Sequence, residues 1–191
     1  PKSPLVPSSL MKRALSFYKI GNHDSAITNF NQLAKDFPED QNAEVALKHV
    51  VLIQAELQRT EPMVKACVIL LDRFPNTDIK ADVNFWLGGG RFELQNFAKC
   101  IEPLETARKL DPKKFDEKAT YRLIHAHKHL ENLKKLETEV LHYDTLGAIQ
   151  PVPIGVYGIL GRSLYDEGNM LRAEHFSVSY THLRAHETSI D

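Results

Sequence analysis

Apolar and polar positions along this chain keep the rhythm of about 3.6 residues that marks amphipathic helices, and nowhere the strict alternation of a half-buried strand. The stretch Phe85–Pro112, FWLGGGRFELQNFAKCIEPLETARKLDP, spells one complete antiparallel helix pair. Leu87, Gly88 and Phe92 form the apolar stripe of a first helix, and Ala98, Cys100, Ile101, Leu104, Ala107 and Leu110 that of a second. Gln95 and Asn96 stand at the turn between them, and Pro112 stops the second helix because a proline cannot continue the hydrogen-bond ladder.

The other segments repeat this unit imperfectly. Pro38, Pro75 and Pro112 are separated by 75 − 38 = 37 and 112 − 75 = 37 residues, each preceded by an apolar helical run ending in KDF, DRF or KLD. A fixed period of this size is the mark of a repeat array, in which no unit can bury its apolar face alone. In the first unit Met11, Ala14, Leu15, Phe17 and Tyr18 lead to a stop at Gly21-Asn22; Asp24 or Ser25 can cap the second helix, whose Ala26, Ile27, Phe30, Leu33 and Ala34 face inward. The second unit has Pro62 in the first turn of its second helix, where a missing N–H costs little, and Gln58 in place of a turn glycine. The fourth carries Glu131 at that turn, and the fifth, IGVYGILGRSLYDEGNMLRAEHF, restores the glycine at Gly168.

Two features of the third unit are costly. Gly88, Gly89 and Gly90 lie inside its first helix, where each glycine costs about 1 kcal/mol relative to alanine. Pro103 lies inside its second, where it removes a backbone bond at about 3 kcal/mol unless the helix bends, so a kink is expected near Lys99–Pro103.

The order Leu87-Gly88, aromatic Phe92, small Ala98, then Leu104 and Pro112 resembles the tetratricopeptide repeat, whose usual period is about 34 residues. Leu160-Gly161, Tyr165, Gly168 and Ala173 match the same pattern in register. The resemblance implies an all-α, right-handed solenoid of antiparallel helix pairs, about four and a half repeats long. The expected organisation is a linker over 1–7 and a solenoid over 8–176, with repeats about 8–40, 41–77, 78–114, 118–146 and a truncated 153–176. A break, GAIQPVP, replaces the proline terminator of the fourth. The segment FPNTDIKADVNFWLG is similar to a subclass common in bacterial cell-envelope assembly proteins.

Residues 177–191 resemble translated sequencing adapter: VSYTHLRAHET, 178 to 188, can be written in the codons of a transposase adapter running into its index. They are set aside as a non-native tail, which removes His182 and His186 as candidate ligands. The native text is then expected to end near Phe176, and the fifth repeat to lack most of its second helix and leave an apolar face uncovered.

Composition narrows the function. The formal net charge is −1 for 24 basic and 25 acidic residues, so no basic field exists to draw in nucleic acid. No apolar run approaches the roughly 20 residues that span a bilayer, so no membrane insertion is expected. Cys67 and Cys100 fall at core-type positions and outline no disulfide framework. The chain starts at Pro1 without a signal-peptide pattern, which leaves localisation open.

No glycine-rich phosphate loop follows a strand, no nucleophile elbow occurs, and both cysteines stand among apolar residues, so neither an enzyme nor a cofactor is expected. His125 and His129, four apart, could set two imidazoles on one helical face, but His127 points away and no Cys, Asp or Glu supports them; a solvated or partly buried histidine face is the better reading than a metal site.

What the resemblance implies instead is a protein or peptide partner held by the first helices, which in this family line a concave groove. The positions that face a ligand there are Tyr18, Lys48, Phe85, Gly89, Phe92, Tyr121, His125, Lys128, Arg162 and Tyr165, a mixed aromatic and basic set suited to a segment with apolar and acidic side chains. The family's Lys and Asn arrangement for a peptide's terminal carboxylates is not expected, since only Lys48 fits it. The expected function is therefore a protein–protein interaction scaffold. The alternative is a regulatory or targeting module of a larger enzyme, which a full-length reading frame with a downstream catalytic domain would favour.

Overall fold

The structure is a computed structural model of the 191-residue chain and describes residues 5–148 and 151–188, the side chains of 182–188 excepted. The expectations for 1–4, 149–150 and 189–191, and for the imidazoles of His182 and His186, lie outside the described residues. Among those described there are ten α-helices and no strand. They are α1 Leu5–Lys19, α2 His23–Asp36, α3 Asn42–Glu56, α4 Thr60–Arg73, α5 Lys80–Glu93, α6 Phe97–Leu110, α7 Pro112–His129, α8 Leu133–Thr145, α9 Ile154–Asp166 and α10 Met170–Thr188. They form two compact units, Pro1–Phe115 and Asp116–Asp191.

Every helix pair closes on the same turn. The backbone takes a positive φ at Gly21 (76°), Gln58 (53°), Gln95 (58°), Glu131 (54°) and Gly168 (77°). At each, the N–H of that residue bonds back three residues and the next N–H bonds back five, as in Gly21 to Tyr18 (3.0 Å) and Asn22 to Phe17 (2.9 Å), or Gln95 to Phe92 (2.9 Å) and Asn96 to Arg91 (2.8 Å). This is the Schellman motif, which satisfies the carbonyls a helix end leaves open. The residue after the turn begins the next helix: the side chains of Asn22 and Asn132 accept from the backbone N–H of Ser25 (3.2 Å) and Lys135 (3.3 Å).

In the first unit, second helices are capped by Phe37, Phe74 and Asp111, whose ψ of 62°, 70° and 79° leaves the helical region just before each proline. Pro112 does more than stop α6. It opens α7, with Asp111 Oδ1 accepting from Lys114 N at 3.2 Å, so the residues from Pro112 to Glu117 are helical ahead of the expected start near Lys118. Leu5–Pro7, expected as linker, form the first turn of α1, with Pro7 buried. One continuous core runs through this unit, from Leu10 and Ala14 through Phe30, Leu33, Val51, Ile53 and Leu70 to Val83 and Leu87.

The second unit has its own core, in which Ile124, Leu136, Val140 and Tyr143 meet Val156, Leu160, Ala173 and Phe176. The fifth pair has a second helix, most of which, from Ser177 on, is made of the residues set aside above as a tail. α10 continues past Phe176 along α9, and a side chain at Gly161 would come within 2.9 Å of Ser177 Oγ, so residues of that tail pack against α9.

α6 is one helix with Pro103 buried inside it. The carbonyl that Pro103 cannot serve belongs to Lys99, and Arg91 Nη1 donates to it at 2.9 Å. The glycine run is explained by close approach. A Cβ on Gly88 would lie 2.6 Å from Leu104 Cγ on α6, and one on Gly90 2.6 Å from Val64 Cγ2 on α4. Glycines therefore let α5 press against a second helix on either side.

Candidate functional site

In the first unit the first helices of successive pairs are joined through their side chains. Tyr18 Oη on α1 donates to both carboxylate oxygens of Glu56 on α3 (2.9 and 3.1 Å), and its ring lies 6.3 Å from that of His49. Lys48 on α3 forms an ion pair with Asp78, ahead of α5. Phe85 on α5 stacks on Phe115 of α7, with centroids 4.6 Å apart, and Lys114 reaches Asp82 at 2.5 Å. The result is a laterally tied face made of α1, α3, α5 and the start of α7.

The expected groove residues of this unit differ in how they are used. Tyr18, Phe85 and Phe92 are half-buried, and Phe92 stands edge-on to Phe97 at 5.5 Å. Each ring is thus held by a neighbour while part of it stays on the surface. Gly89 is buried. Lys48 is not the open cation the sequence suggests: Glu44 at 2.8 Å and Asp78 both engage it, and its side chain is only 19% exposed. Burial works against its charge, yet the two carboxylates hold its pKa above the ordinary lysine value. Its cation in turn lowers the pKa of Glu44 and Asp78 by hydrogen bonding.

Sequence reasoning missed Val45, which stands open on the same face of α3 as Leu52. Val45 and Leu52 on α3 are 37% and 39% exposed and lie seven apart, on one helical face. Leu52 is followed one turn later by Glu56, the last residue of α3. The 37-residue period was the available signal, since it sets Glu56 and Glu93 in equivalent places.

The second unit is described by itself. Tyr121 lies 4.7 Å from His125 and 6.0 Å from Tyr143, centroid to centroid, and Lys128 is half-buried. Burial lowers the pKa of His125, aided by the nearby Lys128 and His129 charges. His127, on the other side of α7, is buried and His129 exposed, so the three histidines do not share a face. Arg162 and Tyr165 are exposed on α9. Tyr157 Oη donates to Asp144 (2.8 Å), and Arg172 pairs with the buried Glu137 through Nε at 2.8 Å. Both acids therefore serve packing between helices.

Among the described residues no group of three or more His, Cys, Asp or Glu is placed to hold a metal ion, and no helix is long and apolar enough to cross a membrane. Cys67 and Cys100 are buried and not joined in a disulfide, and burial pushes the Cys67 thiol up to about 12, far from a reactive thiolate.

Comparison with known proteins accords with this architecture. The family described as tetratricopeptide repeat matches residues 8–40. In residues 8–40 the chain is thus similar in sequence to this repeat. The rest of the chain follows in fold. A crystal structure of MamA protein superposes with a TM-score of 0.60 at 15% identity, covering 98% of this chain and 96% of that one. MamA 41-end from Desulfovibrio magneticus RS-1 gives 0.55 at 17% identity, covering 94% and 96%. At such identities the likeness is one of fold, and the fold is all-α and tetratricopeptide-like. By sequence, no curated protein matches the chain.

Proposed function

We propose that the protein is a non-catalytic scaffold that binds a peptide or helix of a partner protein along its first helices. The observation that carries this reading is the exposed aliphatic row Val45–Leu52 on α3, beside which α1 holds Tyr18 fixed by its hydrogen bond to Glu56, while Phe85 on α5 is fixed by its stack on Phe115. Anchors held in place before binding lose little entropy when a ligand arrives. In the second unit Tyr121, His125, Lys128, Arg162 and Tyr165 are proposed as a further contact set on α7 and α9.

The test is selection of displayed random peptides on the folded chain, followed by anisotropy titration of the selected peptides. Leu52→Glu should abolish their binding while the circular dichroism melting curve is retained. Peptides that bind this variant as well as the parent would move the binding surface off the first helices.

A further inference from the structure

The first helices of the first unit end unequally. Lys19, Glu56 and Glu93 are the last residues of α1, α3 and α5, one period apart (56 − 19 = 37; 93 − 56 = 37). A helix C-terminus carries partial negative charge from its open carbonyls, so Lys19 complements its helix while Glu56 and Glu93 oppose theirs. Among the described residues neither glutamate is paired with a lysine or arginine, and the one imidazole that Glu56 acts on, His49, has its pKa lowered by burial. Glu56 accepts only from the Tyr18 hydroxyl, and Glu93 Oε2 accepts from Thr60 Oγ1 at 2.9 Å. The other acids of this face are neutralised: Glu44 and Asp78 share Lys48, and Asp82 takes Lys114. Two carboxylates are thus left at helix ends that already repel them, Glu56 one turn after the exposed Leu52 and Glu93 against Thr60 at the start of α4.

We infer that the Val45–Leu52 row of α3 docks a partner segment in which an apolar side chain is followed by lysine or arginine, whose cation is received by Glu56 and Glu93. This rests on the reading of the first helices as the binding face, and it reverses the acidic partner that Lys48 suggested. A lysine or arginine suits the place because its aliphatic stem can lie on Leu52 while its head reaches the carboxylates. The hydroxyls of Tyr18 and Thr60 orient those carboxylates and leave lone pairs for the incoming donor, since each carboxylate has about four acceptor sites. The same charges repel an acidic peptide or an anionic lipid surface.

The random-peptide selection tests the inference by its composition. The expected result is enrichment of Lys or Arg within a few residues of Leu, Ile or Phe. Affinity should fall about tenfold or more in Glu56→Gln/Glu93→Gln, with binding weakened by salt, as for a charge pair at an interface. That variant keeps the acceptors for Tyr18 and Thr60 and removes a charge from each helix C-terminus, so it should melt no lower than the parent. Enrichment of acidic peptides, or of peptides that lose affinity to Leu52→Glu but not to the glutamine variant, overturns the inference and leaves the first-helix reading standing. Failure to enrich any peptide overturns both.

Discussion

Arg91 Nη1 donates to the carbonyl oxygen of Lys99 at 2.9 Å, four residues before Pro103, and so supplies from the neighbouring helix the hydrogen bond that the proline cannot. Two residues that look unrelated in sequence are therefore energetically coupled. Arg91→Ala should lower stability by about 1 kcal/mol, the usual net worth of such a bond. In a Pro103→Ala background, where residue 103 has its own N–H, the loss should largely vanish. A double-mutant cycle of urea denaturation midpoints checks this.

Three of the five hairpin turns put a residue with a side chain into the left-handed region, at Gln58, Gln95 and Glu131. That conformation costs an L-residue roughly 1–2 kcal/mol, part of which glycine gives back in unfolded-chain entropy. Each of Gln58→Gly, Gln95→Gly and Glu131→Gly should raise stability by about 0.5–1 kcal/mol, whereas Gly21→Ala should lower it by a similar amount. Thermal or urea unfolding of the four variants gives the comparison.

Gly88 and Gly90 predict unequal costs. An added methyl at Gly88 meets Leu104 Cγ at 2.6 Å and the Leu104 backbone nitrogen at 3.1 Å, and backbone cannot step aside. At Gly90 it meets Val64 Cγ2 at 2.6 Å and the flexible end of Met63 at 2.9 Å. Overpacking of this kind costs about 1–3 kcal/mol, against a gain of about 1 from replacing a helical glycine. Gly88→Ala should be clearly destabilising in denaturant titration, and Gly90→Ala less so.

Burial lowers the pKa of His49, which stacks on Phe30 with centroids 4.9 Å apart, while Glu56 acts in the opposite sense. His125 is lowered likewise. A histidine whose folded pKa lies below its unfolded value of about 6.5 binds its proton more readily in the unfolded chain. Stability should hold above that pH and fall as the pH drops below it. His49→Gln should flatten this slope, as followed by urea unfolding at pH 7 and pH 5, with imidazole NMR titration reporting the lowered value directly.

Most of the architecture was legible because it is written locally. Leu33, Ala34 and Phe37-Pro38, or Leu70, Leu71 and Phe74-Pro75, sit within a few residues of the bonds they determine, so rhythm and period revealed helix, turn and stop together. Even the unusual turn residues Gln58 and Glu131 were found by position alone. The start of α7 was not, since Pro112 reads equally as a stop for α6 and as an N1 residue.

Residue order along the chain suffices for the fold class, the helix pairs and their turns, and the places of the apolar core, because a helix stripe needs only neighbours three and four residues away. Which charges remain for a partner depends on packing. Lys48 is spent on Asp78, Arg91 on Lys99, and α10 covers α9, while Glu56 and Glu93 are left without a lysine or arginine among the described residues. Apart from the local Lys99 contact, these pairings join residues distant in the chain, and only the packing of one helix on the next brings them within bonding distance.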